Sequence, residues 1–194
     1  GDDTAENTMG LNANVQIFGT DASTSGFAVK RGSNDAQAAF FVLSKSRNTS
    51  VGSRTILQNG DEVGNIFFAA DDGTDLISNT AAIKSQINGA PGANDTPGNL
   101  SFWTTSDGAN AATRRMTITS AGNIGINESS PSHKLVVGGD IGVGFNTPND
   151  AARQINFNVN RGSAGQTIAN INWQWNSKYV AQIRGMAGAD TTNK

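Results

Sequence analysis

The chain has 194 residues, a formal net charge of −2, no cysteine, and only 15% charged residues. This excludes a disulfide scaffold and any thiolate nucleophile or thiolate metal site, and it leaves no basic face for nucleic acid or anionic lipid. No apolar run approaches the ~20 residues that a spanning helix needs, so no membrane insertion is expected.

The aliphatic residues are skewed, with 14 Ile and 10 Val against 6 Leu. β-branched side chains suit a pleated surface, so the composition points to an all-β protein. Residues 1–13 are polar and read as a linker or the continuation of an upstream segment. Alternation then begins. Val15 and Ile17 share one face of a first short strand, and Phe27 and Val29 share one face of a second, closed by Lys30 and Arg31. The run QAAFFVLSKS (37–46) is dense enough in apolar residues for a strand buried on both sides. SRTILQNGDEVGNIFFAADDGTD (53–75) reads as strand, Asn-Gly-Asp turn, strand, Asp-Asp-Gly turn.

In NTAAIKSQINGAPG (79–92) a helix competes, because Ile83 and Ile87 are four residues apart. Alternation favours a strand, with Ala81, Ile83 and Ile87 on one face and Lys84 and Gln86 on the other. GNLSFWTTSDGAN (98–110) reads as a strand with Leu100 and Phe102 opposite Trp103, ended by an Asp-Gly turn. RRMTITSAGNIGIN (114–127) reads as a hairpin pairing Met116 and Ile118 with Ile124 and Ile126 across Ala121–Asn123. NESSPS breaks strand pairing, since Pro131 cannot donate to a ladder. HKLVVGGDIGV then restarts a strand with Leu135 and Val137 on one face.

An internal repeat orders these pieces. FAVKRGS (27–33) recurs as FNVNRGS (157–163), GNIFFAA (64–70) as ANINWQW (169–175), and AAIKSQINGAPGAND (81–95) as AQIRGMAGAD (181–190). The expected organisation is a first β module over 14–127, a Ser-Pro/Gly joint and shaft strand over 128–150, and an incomplete second module over 151–194. With no initial Met and a polar end, the sequence reads as part of something longer.

The run PGNLSFWTTSDGANAATRRMTITSAGNIGINESSPSHKLVVGGDIGV (97–143) resembles a segment common in tail-fibre and related virion appendage proteins of bacteriophages, marine and cyanobacterial phages above all. Roughly residues 60–145 carry the resemblance, with a partial echo over 155–190. It implies an elongated fibre of short antiparallel strands and hairpins in repeated modules, an intertwined homotrimer, and a virion location outside the cell once assembled. Its partners would be further copies of itself, other virion or baseplate proteins, and a host surface glycan or protein. It implies no enzyme and no cofactor. Ile118, Ile124, Ile126, Leu135 and Val137 are then the expected trimer core. Two other readings stand beside it: a capsule or polysaccharide depolymerase spike, and a non-viral surface filament or adhesin.

The remaining candidates each have a plain reading. His133 is the only histidine, with no Cys and no near Asp or Glu to help it hold a metal. Asp71, Asp72 and Asp75 lack the spacing of a calcium loop and read as turn residues. Asp61, Glu62 and Asp107 serve glycoside hydrolysis only if they meet within roughly 5–10 Å. Lys30–Arg31 and Arg114–Arg115 are too small for a nucleic-acid patch, and the recurrence of Arg31 as Arg161 suggests a structural role, such as an inter-chain salt bridge, or a solvated strand end. Trp173, Trp175 and Tyr179 share one parity, so a straight strand would show all three on one face, as core, trimer interface or a platform for sugar rings.

Overall fold

The computed structural model describes residues 15–17, 19–141, 167–175 and 178–186, none of them helical. The chain divides into two compact units, Gly1–Ile141 and Gly142–Lys194. The strands are β1 (Glu62–Ala70), β2 (Ser78–Ile87), β3 (Gly98–Thr104), β4 (Thr113–Ile118), β5 (Ile124–Ile126), β6 (Leu135–Val137), β7 (Thr167–Trp175) and β8 (Lys178–Met186). β1 to β6 form one sheet in sequence order, antiparallel up to β5, with β6 parallel to β5. β7 and β8 form a separate antiparallel pair.

The turns follow from local chemistry. Asp61 N–H donates to the Gln58 carbonyl at 3.0 Å, and Gly60 sits at φ 90°, a conformation only glycine adopts without cost. Gly122, at φ 71°, closes the β4–β5 hairpin by donating to the Thr119 carbonyl. That hairpin has the expected register: Met116 faces Ile126 and Ile118 faces Ile124. The segment 79–87 is strand, as its alternation indicates, and not helix.

The strands expected at 14–19, 25–32, 37–46 and 53–57 are not formed among the described residues. A strand needs a partner, and these runs find none among the described residues. Residues 46–55 are instead tied into a small loop: Arg47 N–H donates to the Thr55 carbonyl, and Thr55 N–H donates to the Ser46 hydroxyl. The dense run 37–46 is not buried on both sides; Phe40, Phe41 and Val42 are all about 70% exposed (71%, 68% and 73%).

Leu135–Val137 is not a shaft strand beyond a coupling but the sixth strand of the first sheet, paired in parallel with β5. The connection is short because both strands have only three residues. It crosses one face of the sheet with Pro131 buried. Asn123 Nδ2 donates to the Pro131 carbonyl at 3.0 Å, and Asn127, at φ 54°, donates through Nδ2 to the Gly138 carbonyl at 3.1 Å. The connection lies so close that a Cβ on Gly125 would meet the Glu128 carbonyl oxygen at 2.1 Å. Pro131 therefore stops the ladder as expected, but inside the unit.

The two hairpins that carry the sequence repeat share a register. In the first, Phe68, Phe67, Ile66, Asn65 and Gly64 face Ala81, Ala82, Ile83, Lys84 and Ser85. In the second, Trp173, Asn172, Ile171, Asn170 and Ala169 face Ala181, Gln182, Ile183, Arg184 and Gly185. Both ladders also slip just after this block, between Phe68 and Ala69 and between Trp173 and Gln174. The repeated FAVKRGS stretch forms no strand at 27–33, and its second copy lies outside the described residues.

Two substitutions probe this sheet. Gly125→Ala must push the 127–134 connection off the face, and an overpacked site of this kind costs about 1–3 kcal/mol; denaturant unfolding should show the loss. Thr117 is fully buried, and its Oγ1 makes no hydrogen bond. Thr117→Val removes that uncompensated hydroxyl at nearly equal volume and should raise stability by about 1 kcal/mol; a fall in the denaturation midpoint would refute the assignment.

Candidate functional site

Period-2 alternation gives the first sheet two unlike faces. On one, the registers align Ile66, Ile83, Phe102, Met116, Ile126 and Val137 in a single row, one residue from each of the six strands. A second row beside it runs Ser85, Leu100, Ile118, Ile124 and Leu135. All five residues expected to form a core, Ile118, Ile124, Ile126, Leu135 and Val137, thus fall on one face. The face is not covered in the single chain: Ile66 is 42% exposed, Phe68 51% and Leu135 57%. Contiguous apolar surface of this kind marks an interaction site.

The opposite face is polar and closed by its own side chains. Lys84 Nζ lies 5.4 Å from the Phe67 ring and 4.8 Å from the Trp103 ring, and the Arg114 guanidinium lies 5.2 Å from the Trp103 ring. Trp103 Nε1 donates to the Ser101 hydroxyl at 2.8 Å. Each cation over a ring contributes on the order of 0.5–1 kcal/mol at a partly exposed site. The buried side chains gather here: Ala82, Asn99, Ser101 and Thr117. Among the described hydrophobic side chains only Ala82 and Ile87 are fully buried, while Ile83, Phe102, Met116, Ile118 and Ile124 are half-buried.

Asp61 fixes where the preceding chain enters the sheet. Arg47 donates to both carboxylate oxygens, at 2.6 and 2.7 Å, Gln58 N–H donates at 2.8 Å, and Lys45 Nζ lies 3.7 Å away. The Arg47 guanidinium first, then the Gln58 amide, hold the Asp61 carboxyl well below the usual carboxylate range. Arg31 makes a comparable fork to Asp35 within its own chain, both contacts at 2.6 Å.

The other candidates fall into place as turn chemistry. Asp71, Asp72 and Asp75 spend their oxygens on nearby backbone N–H groups of Gly73, Thr74 and Ile77. His133 is exposed, with Nδ1 2.9 Å from the Ser132 hydroxyl. No group of three metal-binding side chains occurs among the described residues. Asp61 and Asp107 lie beyond opposite ends of the seven-residue β3, separated by roughly 20 Å at about 3.3 Å per residue. A carboxylate pair for glycoside hydrolysis cannot form between them. Asp107 instead lines a shallow cleft of about 400 Å³ with Asp72, Ser78, Thr80, Thr105 and Asn110. Trp173 and Trp175 lie on β7 and Tyr179 on β8, so no straight strand carries the three. The register sets Trp173 against Ala181, Trp175 against Lys178, and Tyr179 against Gln174.

The apolar face was legible as alternation in each strand, but its continuity over six strands was not, because that depends on registers set by loops. Searches against protein-family models and curated proteins found no match for this chain.

The Asp61 clasp has a pH signature. A carboxyl whose folded pKa is depressed adds stability that is present above its unfolded pKa, about 4, and lost as pH falls toward the folded value. The difference in melting temperature between the native chain and Asp61→Asn should be largest at neutral pH and shrink below about pH 4. A difference that stays constant down to pH 2 would show that the charge contributes nothing.

Proposed function

We propose that this chain is a structural and adhesive segment of a phage tail fibre or virion appendage, working as an intertwined homotrimer that contributes to attachment to the host cell. The single observation that carries the assembly is the six-strand apolar face. A one-layer sheet cannot keep such a face in water; it must be covered by another layer. Copies related by a closed rotation supply that layer without leaving further sticky surface.

The shared register of β1–β2 and β7–β8 supports a modular build, in which one hairpin design is used more than once along the chain. The attribution to a phage particle rests on the GNLSFWTT, RMTIT, AGNIGI and SPSHKLVVGGDI motifs. Attachment in such an assembly is mechanical and multivalent: contacts too weak to hold singly give a strong bond when presented together on one rigid particle.

Mass measurement in solution tests the assembly, with the expected result about three times the 20.1 kDa chain; a stable monomer would sink it. The depolymerase reading has its own test. Incubation with host capsule or lipopolysaccharide should release no reducing sugar, and release would transfer the function from adhesion to hydrolysis.

A further inference from the structure

The residues before the sheet pose the same problem as the sheet face, from the other side. Residues 19–57 contain no strand, yet they carry Phe27, Val29, Phe40, Phe41, Val42 and Leu43, each at least 42% exposed. Four of these are consecutive, so both sides of the extended chain are apolar and neither side is covered. A run of this kind is a fault in a monomer unless something else receives it.

The place where this arm leaves the sheet is defined. The Arg47–Asp61 clasp holds its base at the start of β1. Leu43 lies over Gly64, whose missing side chain makes room for it: a Cβ there would meet the Leu43 Cβ at 2.6 Å. Gly64 faces Ser85, which stands in the second row of the apolar face. The arm therefore departs from the apolar side of the sheet at its β1 margin, with its most apolar residues next in line.

We propose that this arm, residues 27–43, lies across the apolar sheet face of a neighbouring copy. The inference rests on the self-assembly proposed above and names what covers the face. Three observations favour the face as receiver over the sheet edges. The β1 edge is broken by two register shifts, and the β6 edge has only three residues, which are ordinary ways of blunting an edge. The face, by contrast, is continuous over six strands. Areas are also of the right order: an aromatic side chain buries 150–250 Å² in all, and Phe27, Phe40 and Phe41 are about 70% exposed, so these three alone have roughly 300–500 Å² left to bury, against about 800 Å² per partner in a stable interface. Finally, arm and face are different surfaces of one chain, so the contact is head-to-tail. Such contacts close into rings, and each copy in the ring gives one arm and receives one.

The chain has no cysteine, so introduced thiols report cleanly. Phe41→Cys chains are refolded together with Ile126→Cys chains, and in a second mixture with Ile66→Cys chains, under mild oxidation. The expected product is a covalent pair of twice the 20.1 kDa chain on a denaturing gel, abolished by reductant and stronger in the mixture than in any variant alone. Trimer mass without a mixed disulfide in either mixture overturns the arm and leaves the assembly standing; monomer mass overturns both. A Phe41→Cys/Ile126→Cys double variant that closes only within one chain also overturns it, because the arm would then cover its own sheet. A chain carrying Phe40→Ser, Phe41→Ser and Val42→Ser should no longer run at trimer mass. An unchanged trimer would count against the arm.

Discussion

One apolar residue from each of six strands stands in a single row on one face of a one-layer sheet, and nearly everything else about this unit answers to that row. Burial of apolar surface is the main force that orders a chain, yet within this chain the sheet buries its row only in part: Ile83, Phe102, Met116 and Val137 are half-buried, and Ile66 and Ile126 are exposed. Its opposite face is held by cation–ring contacts, short hydroxyl side chains and a connection laid over Gly125. Those contacts shape the sheet, but each is small. The large stabilising term is reserved for whatever covers Ile66, Phe102, Ile126 and their neighbours.

This division of labour fits a protein whose folded state and assembled state are one. Obligate oligomers often have no stable folded monomer, because the shared interface is their core. The extended arm belongs to the same economy. Its phenylalanines are mostly exposed in the single chain and costly to leave so, while its base is fastened by the bidentate ion pair of Arg47 to Asp61. A fixed root and an uncommitted apolar tip suit a segment that reaches another copy.

The chemistry-bearing side chains tell a consistent, quieter story. Aspartates in the turns satisfy backbone N–H groups, Arg31 and Arg47 are neutralised inside their own loops, and Asp61 and Asp107 are kept apart by the length of β3. Those charges are spent on holding loops in place. Recognition in the reading proposed here comes from repetition of weak contacts along an assembly rather than from one deep site.

Local sequence alone determined the elements whose partners are near in the chain. The β4–β5 hairpin could be read to the register, because Ala121–Gly122 fixes the turn and alternation fixes which of Met116, Ile118, Ile124 and Ile126 meet. The β2 segment could be read as strand against a competing helix from Lys84 and Gln86 alternating with Ile83 and Ile87. The shared face of Ile118, Ile124 and Ile126 was legible for the same reason. Tertiary structure decided what depends on distant partners. Residues 37–46 have a strand's composition, but no neighbouring strand among the described residues completes their ladder. Leu135–Val137 looked like the start of something new after Pro131, yet it returns to pair with β5, because three-residue strands let a short connection cross over Gly125. The aromatic trio is divided between β7 and β8 by a chain reversal that parity counting along one strand does not register. A side chain's face follows from alternation alone, but its partner follows from where the chain turns back, and only the folded chain fixes that.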